Sequence, residues 1–161
     1  MKKLSFLRLA VALTLGIGAT ACDDDDDITG AGGALARVSV DAPASAQSGN
    51  QFDVQITAEN IGIRGLQNGR VDINFPAPLA VVGVGTSAGT NATFSNGLTG
   101  GRASWDLGTL DSNSQSRLVV RTIGVLPVGQ GATRVTIEAT LSGQGIGAGD
   151  AVARDEMTIN P

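Results

Sequence analysis

Histidine and tyrosine are absent from this chain, and cysteine and tryptophan occur once each. Lysine stands only at positions 2 and 3. Without histidine there is no Ser-His-Asp or Cys-His catalysis. With no histidine and one cysteine, zinc and haem of the usual ligation are excluded too, and no cofactor is expected. A single cysteine cannot close an intramolecular disulfide. Positive charge is also short: 11 Lys+Arg stand against 15 Asp+Glu, which argues against nucleic acid as a partner. Helical periodicity is missing, since no stretch supports a helix of about ten residues.

What is present begins with an address. Residues 1–21 combine Lys2, Lys3 and Arg8 with an apolar run over Leu9–Ile17 and the small residues Ala19, Thr20 and Ala21. This is the layout of an export signal. The run is too short for a bilayer span, which needs about 20 residues. Two cleavage readings compete. Ala-Thr-Ala fits ordinary secretion. Ala19-Thr20-Ala21-Cys22 resembles a bacterial lipobox, with Ala19 where leucine is usual. The second is preferred, because the chain's only cysteine falls directly after the small residues. Cys22 is then the lipid attachment site, and its acyl chains hold the protein at a membrane. The expected location is the cell envelope, outside the cytoplasm, with inner or outer membrane undecided.

Residues 22–34 form the next unit: the lipidated cysteine, five consecutive aspartates (Asp23–Asp27), then Ile-Thr-Gly-Ala-Gly-Gly-Ala. Adjacent carboxylates repel and glycine adds freedom, so this is a flexible tether. A Ca²⁺ site at Asp23–Asp27 is the sharper alternative. It lacks the spaced Asp-x-Asp-x-Asp-Gly pattern of a calcium loop, and a solvated spacer is preferred. Removing the leader leaves 8 Arg against 15 acids, or 8 − 15 = −7. From Ile28 onward the balance is 8 − 10 = −2, so the acidity belongs to the tether.

Residues 35–161 form a single domain with a hydrophobic period of two. Phe52, Val54, Ile56 and Ala58 alternate with polar neighbours. Val71, Ile73 and Phe75 do the same, as do Val135, Ile137, Ala139 and Leu141. Each run buries one face and wets the other, as an antiparallel strand does. Weaker strands are read at Ala36–Asp41, Leu79–Val84, Ala92–Ser95, Arg102–Leu107, Gln115–Ile123 and Ala151–Asn160. Turn signals stand at Gln47-Ser48-Gly49-Asn50, Gln67-Asn68-Gly69, Ser95-Asn96-Gly97 and Asp111-Ser112-Asn113. Short strands with glycine-rich turns give an all-β, immunoglobulin-like antiparallel sandwich of about seven to nine strands. Pro76 and Pro78 mark an edge or a crossover between sheets.

The order Val38-Ser39-Val40, Ser48-Gly49-Asn50, Phe52–Asn60, Val71–Pro76 and Trp105-Asp106-Leu107-Gly108-Thr109-Leu110 resembles bacterial immunoglobulin-like surface repeats. The likeness covers about residues 37–160. It departs in having one copy, and in carrying Ile61–Leu66 where a simple Asn-x-Gly turn is usual. The stretch from Gly65 and Leu66 through Phe75 to Leu79–Val84 resembles cohesin-type modules. Cohesins are β-sandwiches that bind dockerin partners or scaffold surface assemblies. Both resemblances imply a non-enzymatic binding or structural module, and neither supplies catalytic residues.

Tests for chemistry agree. A glycosidase needs two carboxyls roughly 5–10 Å apart. Asp106 beside Trp105 is the best single candidate, but alternation turns Trp105 inward and Asp106 outward. Sugar platforms use exposed aromatics, whereas Phe52, Phe75 and Trp105 fall on apolar faces and only Phe94 is ambiguous. Polysaccharide binding is therefore weakly supported, even through a Ca²⁺-centred site. Asn91-Ala92-Thr93 matches a glycosylation sequon but reads better as a loop asparagine. The partner expected is a protein or envelope component. A patch of Arg117 and Arg121 on one strand face, with Arg134 on a neighbour, is the candidate contact, since arginine grips carboxylates bidentately.

Overall fold

The computed structural model describes residues 35–86, 91–144, 146 and 151–161. The leader, Cys22 and the acidic tether lie outside the described residues. Ten strands follow one another: β1 (Ala36–Asp41), β2 (Ser45–Gln47), β3 (Gln51–Asn60), β4 (Leu66–Pro76), β5 (Leu79–Thr86), β6 (Ala92–Gly97), β7 (Gly100–Leu110), β8 (Ser114–Gly124), β9 (Thr133–Gln144) and β10 (Val152–Asn160). They build a four-stranded sheet in the order β1-β3-β8-β5 and a six-stranded sheet in the order β2-β10-β9-β4-β7-β6.

Alternation sets which side chains meet between the sheets. On β3 and β8 the buried residues Val54, Ile56 and Ala58 share a face with Leu118 and Val120. The six-stranded sheet answers with Val71, Ile73 and Phe75 from β4, Trp105 from β7 and Ile137 and Ala139 from β9. Trp105 is fully buried opposite Val71. Burying each large aliphatic or aromatic side chain contributes about 1.5–3 kcal/mol, and this core is the main source of stability.

Several local expectations change. Among the described residues the strands number ten rather than seven to nine. The extra short strand, β2, has only three residues and pairs in parallel with β10, so the six-stranded sheet is not wholly antiparallel. Gln67-Asn68-Gly69 is not a turn between strands. It is a bulge inside β4, where the register to β7 slips on either side of Gly69 and Asn68 takes φ 53°. A bulge and a tight turn draw on the same Asn-Gly chemistry, so the same residues suit either. Ser95-Asn96-Gly97 continues β6, and the hairpin turns one step later at Leu98 and Thr99. Gly100 closes that turn at φ 120°, where an added Cβ would collide with the Phe75 carbonyl.

The proline pair does mark a crossover. β4 ends at Pro76 in one sheet and β5 begins at Leu79 in the other. The Ala77 amide donates to the Thr99 carbonyl (3.0 Å), and the Val125 amide donates to the Pro78 carbonyl (3.1 Å). These bonds gather the 76–79, 97–100 and 124–126 connections at one end. At the opposite end Asn60 is fully buried. Its amide donates to the carbonyls of Arg64 (2.7 Å) and Leu110 (2.9 Å), and its oxygen accepts from the Gly62 amide (3.0 Å). The Ile61–Gly65 segment is therefore an ordered loop built around one asparagine.

Candidate functional site

Strand alternation places Arg117 and Arg121 on the solvent face of β8, as expected. Arg121 stands opposite Asp53 on β3 and forks onto its carboxylate, with Nε to Oδ1 at 3.0 Å and Nη2 to Oδ2 at 3.4 Å. That hydrogen bond holds the Asp53 carboxyl below its ordinary range, against a weaker opposing pull from desolvation. The same bond raises Arg121. Arg117 lies opposite Thr57. Arg134 does not join them. β9 belongs to the six-stranded sheet, and Arg134 approaches Glu156 there at 3.6 Å. Residues near in sequence are split between sheets because the chain crosses over after β8.

The four-stranded face carries one further feature. The register of β5 against β8 slips between Val81 and Gly83, which throws Val82 outward to 42% exposure. Val82, Gly83, Gly85, Val119, Arg121 and Asp53 line a shallow hollow there.

The larger depression lies on the outer face of the six-stranded sheet. It is a trough of about 560 Å³. Register explains its composition. One row across the sheet runs Arg154, Glu138, Asn74, Arg102, Ser95, and the next runs Val152, Thr140, Asp72, Ser104, Thr93. Outward residues of five strands thus converge on one polar surface. Arg154 Nε meets Glu138 at 2.6 Å and Arg70 Nε meets Asp72 at 3.1 Å. Among the described residues, Arg102 is the one arginine on this face that no carboxylate meets. The sequence alone did not reveal this trough, because it exists only once the cross-strand register is known.

Asp106 points outward and accepts a hydrogen bond from the Gly108 amide (3.0 Å), a local turn contact. Phe94 is 43% exposed, but it pairs with the inward-facing Ala103. Strand parity puts its side chain on the inner side of β6, while the residue itself also lines the trough. The Asn91 carbonyl accepts from the Asp106 amide (2.8 Å), which extends the β6 pairing by a residue. Among the described residues, no group of three His, Cys, Asp or Glu is placed to hold a metal ion.

No family model matches the chain, and no curated protein matches it. Solved structures do. A cohesin module from a family 33 glycoside hydrolase of Clostridium perfringens aligns with a TM-score of 0.56 at 11% identity, covering 79% of this chain and 98% of that one. The CARDB domain of a Pyrococcus furiosus protein aligns at 0.53 and 12% identity, covering 78% and 94%. A second structure of that domain, in complex with two metal ions, aligns at 0.53 and 11%. Identities this low speak to fold alone, and on that level the outcome is plain: the chain is an all-β, immunoglobulin-like sandwich similar to cohesin and CARDB modules.

Proposed function

We propose that this is an exported, lipid-anchored module of a bacterial cell envelope that binds or scaffolds and does not catalyse. The observation that carries the reading is the pairing of one sandwich with one address. The folded body matches a cohesin module over 98% of that module's length. It follows a leader-like segment, a single cysteine at the boundary and an acidic spacer. The specific alternative is a receptor for a dockerin-type protein partner. It is supported by the cohesin likeness in fold and by two open sheet faces that carry polar side chains.

The anchor is tested first. The full chain is expressed in a bacterium that processes lipoproteins, and the membrane fraction is analysed by mass spectrometry. A diacylglyceryl-modified Cys22 at the new N-terminus is expected, with loss of membrane association in Cys22→Ala. An unmodified Cys22 on a soluble protein overturns the anchor. The binding role is tested separately, by recovering envelope proteins with the full chain and measuring their affinity after purification.

A further inference from the structure

β6 is the outermost strand of the six-stranded sheet. Three independent observations meet there. The first is backbone. β6 pairs with β7 on one side, and no described strand lies beyond it. The bond from the Asp106 amide to the Asn91 carbonyl fixes the phase of the ladder. By antiparallel alternation Thr93 and Ser95 then direct their backbone groups to β7, while Ala92, Phe94 and Asn96 direct theirs away. Edge strands are commonly blunted by charge, proline or a bulge. β6 reads Ala-Thr-Phe-Ser-Asn-Gly, with none of these, and five of its six residues are exposed.

The second observation is charge. Arg102 stands opposite Ser95, one strand in from the edge, without a carboxylate among the described residues. Strands are spaced about 4.8 Å apart, so a strand added to β6 lies about 10 Å from β7. A guanidinium and a carboxylate reaching toward each other span that gap. The third is apolar surface. Phe94, of opposite parity to Thr93 and Ser95, leaves 43% of itself exposed on the inner side of the same edge.

We infer that β6 is a strand-addition site for an extended segment of a protein partner, in which an acidic residue meets Arg102 and the apolar residues beside it pack against Phe94. Backbone pairing of this kind supplies affinity, and the alternating side chains supply specificity. A second copy of this chain is a poor occupant, because its own β6 carries no carboxylate and would leave both Arg102 groups uncompensated. This inference rests on the binding-module reading above and names the contact within it.

The test uses the full chain in detergent and two blocked nonapeptides. In one, valine alternates with threonine and a central glutamate. The other has lysine in place of that glutamate. The glutamate peptide is expected to bind about tenfold or more tighter, the usual weight of a charge-assisted hydrogen bond. Arg102→Ala erases the preference and Arg102→Glu inverts it. Phe94→Pro abolishes both affinities, since it removes an outward N–H that the β6–β7 ladder does not use. Circular dichroism checks that each variant is folded. Equal affinities for the two peptides, or binding unmoved by Phe94→Pro, overturn the inference. So does self-association that Phe94→Pro relieves, or an acidic oligosaccharide that binds at Arg102 regardless of that substitution. An envelope partner that still binds the Phe94→Pro chain leaves the binding module standing and removes this edge from it.

Discussion

Asn60 shows how much one side chain organises. Its amide and oxygen satisfy two carbonyls and one N–H in a buried site. Asn60→Ala leaves these groups unpaired, and the expected loss is about 2–4 kcal/mol. Urea titration reads it as a lower midpoint at unchanged slope. Gly100 and Gly131 form a contrasting pair. At Gly100 a Cβ would strike the Phe75 carbonyl at φ 120°, whereas at Gly131 nothing lies within 4 Å. Gly100→Ala should cost about 3 kcal/mol, while Gly131→Ala should gain about 0.5 kcal/mol by restricting the unfolded chain. Asp53 sets a pH signature. Its folded pKa is depressed by Arg121. Its stabilisation is thus present above the unfolded carboxylate pKa and is lost as pH falls through the folded value. The melting difference between the parent and Asp53→Asn is expected to be small at pH 7, because both groups are exposed. It should close below about pH 4 and shrink in high salt.

At the level of elements, position in the sheet sets local stability. β3 and β8 are paired on both sides, as are β4, β7, β9 and β10. β2 and β6 are edges, one very short and the other exposed. Amide hydrogen exchange should be slowest in β3, β8, β4 and β9 and fastest in β2 and β6, in line with their burial. Protection of β6 equal to that of β8 would contradict its assignment as an open edge. The long central strands were legible in the sequence because burial on one face writes itself as a period of two. Trp105 and Phe75 were placed in the core by that rule alone. β2 was not legible, since three residues cannot show a period. The bulge at Asn68 was not legible either, because Asn-Gly serves a turn equally well. The trough and Arg102 were invisible for a different reason. They depend on which strands become neighbours, and Arg134 shows that adjacency in sequence is a poor guide to it. Arg117 and Arg121 were found on one face because a single strand suffices to place them.

Across the whole molecule, charge and geometry are segregated. The chain enters the sandwich at Leu35, which accepts the Ile61 amide at the end that holds the Asn60 loop. The turns at the far end, 47–50, 76–79, 97–100 and 124–132, contain no charged residue. Five of the 15 acidic residues instead lie in one run, Asp23–Asp27, between Cys22 and the sandwich. A tether of this length spans about 20 Å as a coil and at most about 40 Å when extended. With a Debye length of about 10 Å at 0.1 M salt, five carboxylates next to an anionic bilayer are only partly screened. If the anchor proposed above holds, their repulsion from the headgroups is expected to disfavour contact between the sandwich and an anionic surface. Replacing Asp23–Asp27 with asparagine should therefore bring the sandwich closer to anionic vesicles. Energy transfer from a label on the domain to labelled headgroups should rise at low salt and converge with the parent at about 1 M salt, where the screening length falls to about 3 Å. The melting temperature should not move, because these residues precede the first strand. A melting shift, or energy transfer unchanged at low salt, would show that the acidic run does something other than hold the module off the membrane.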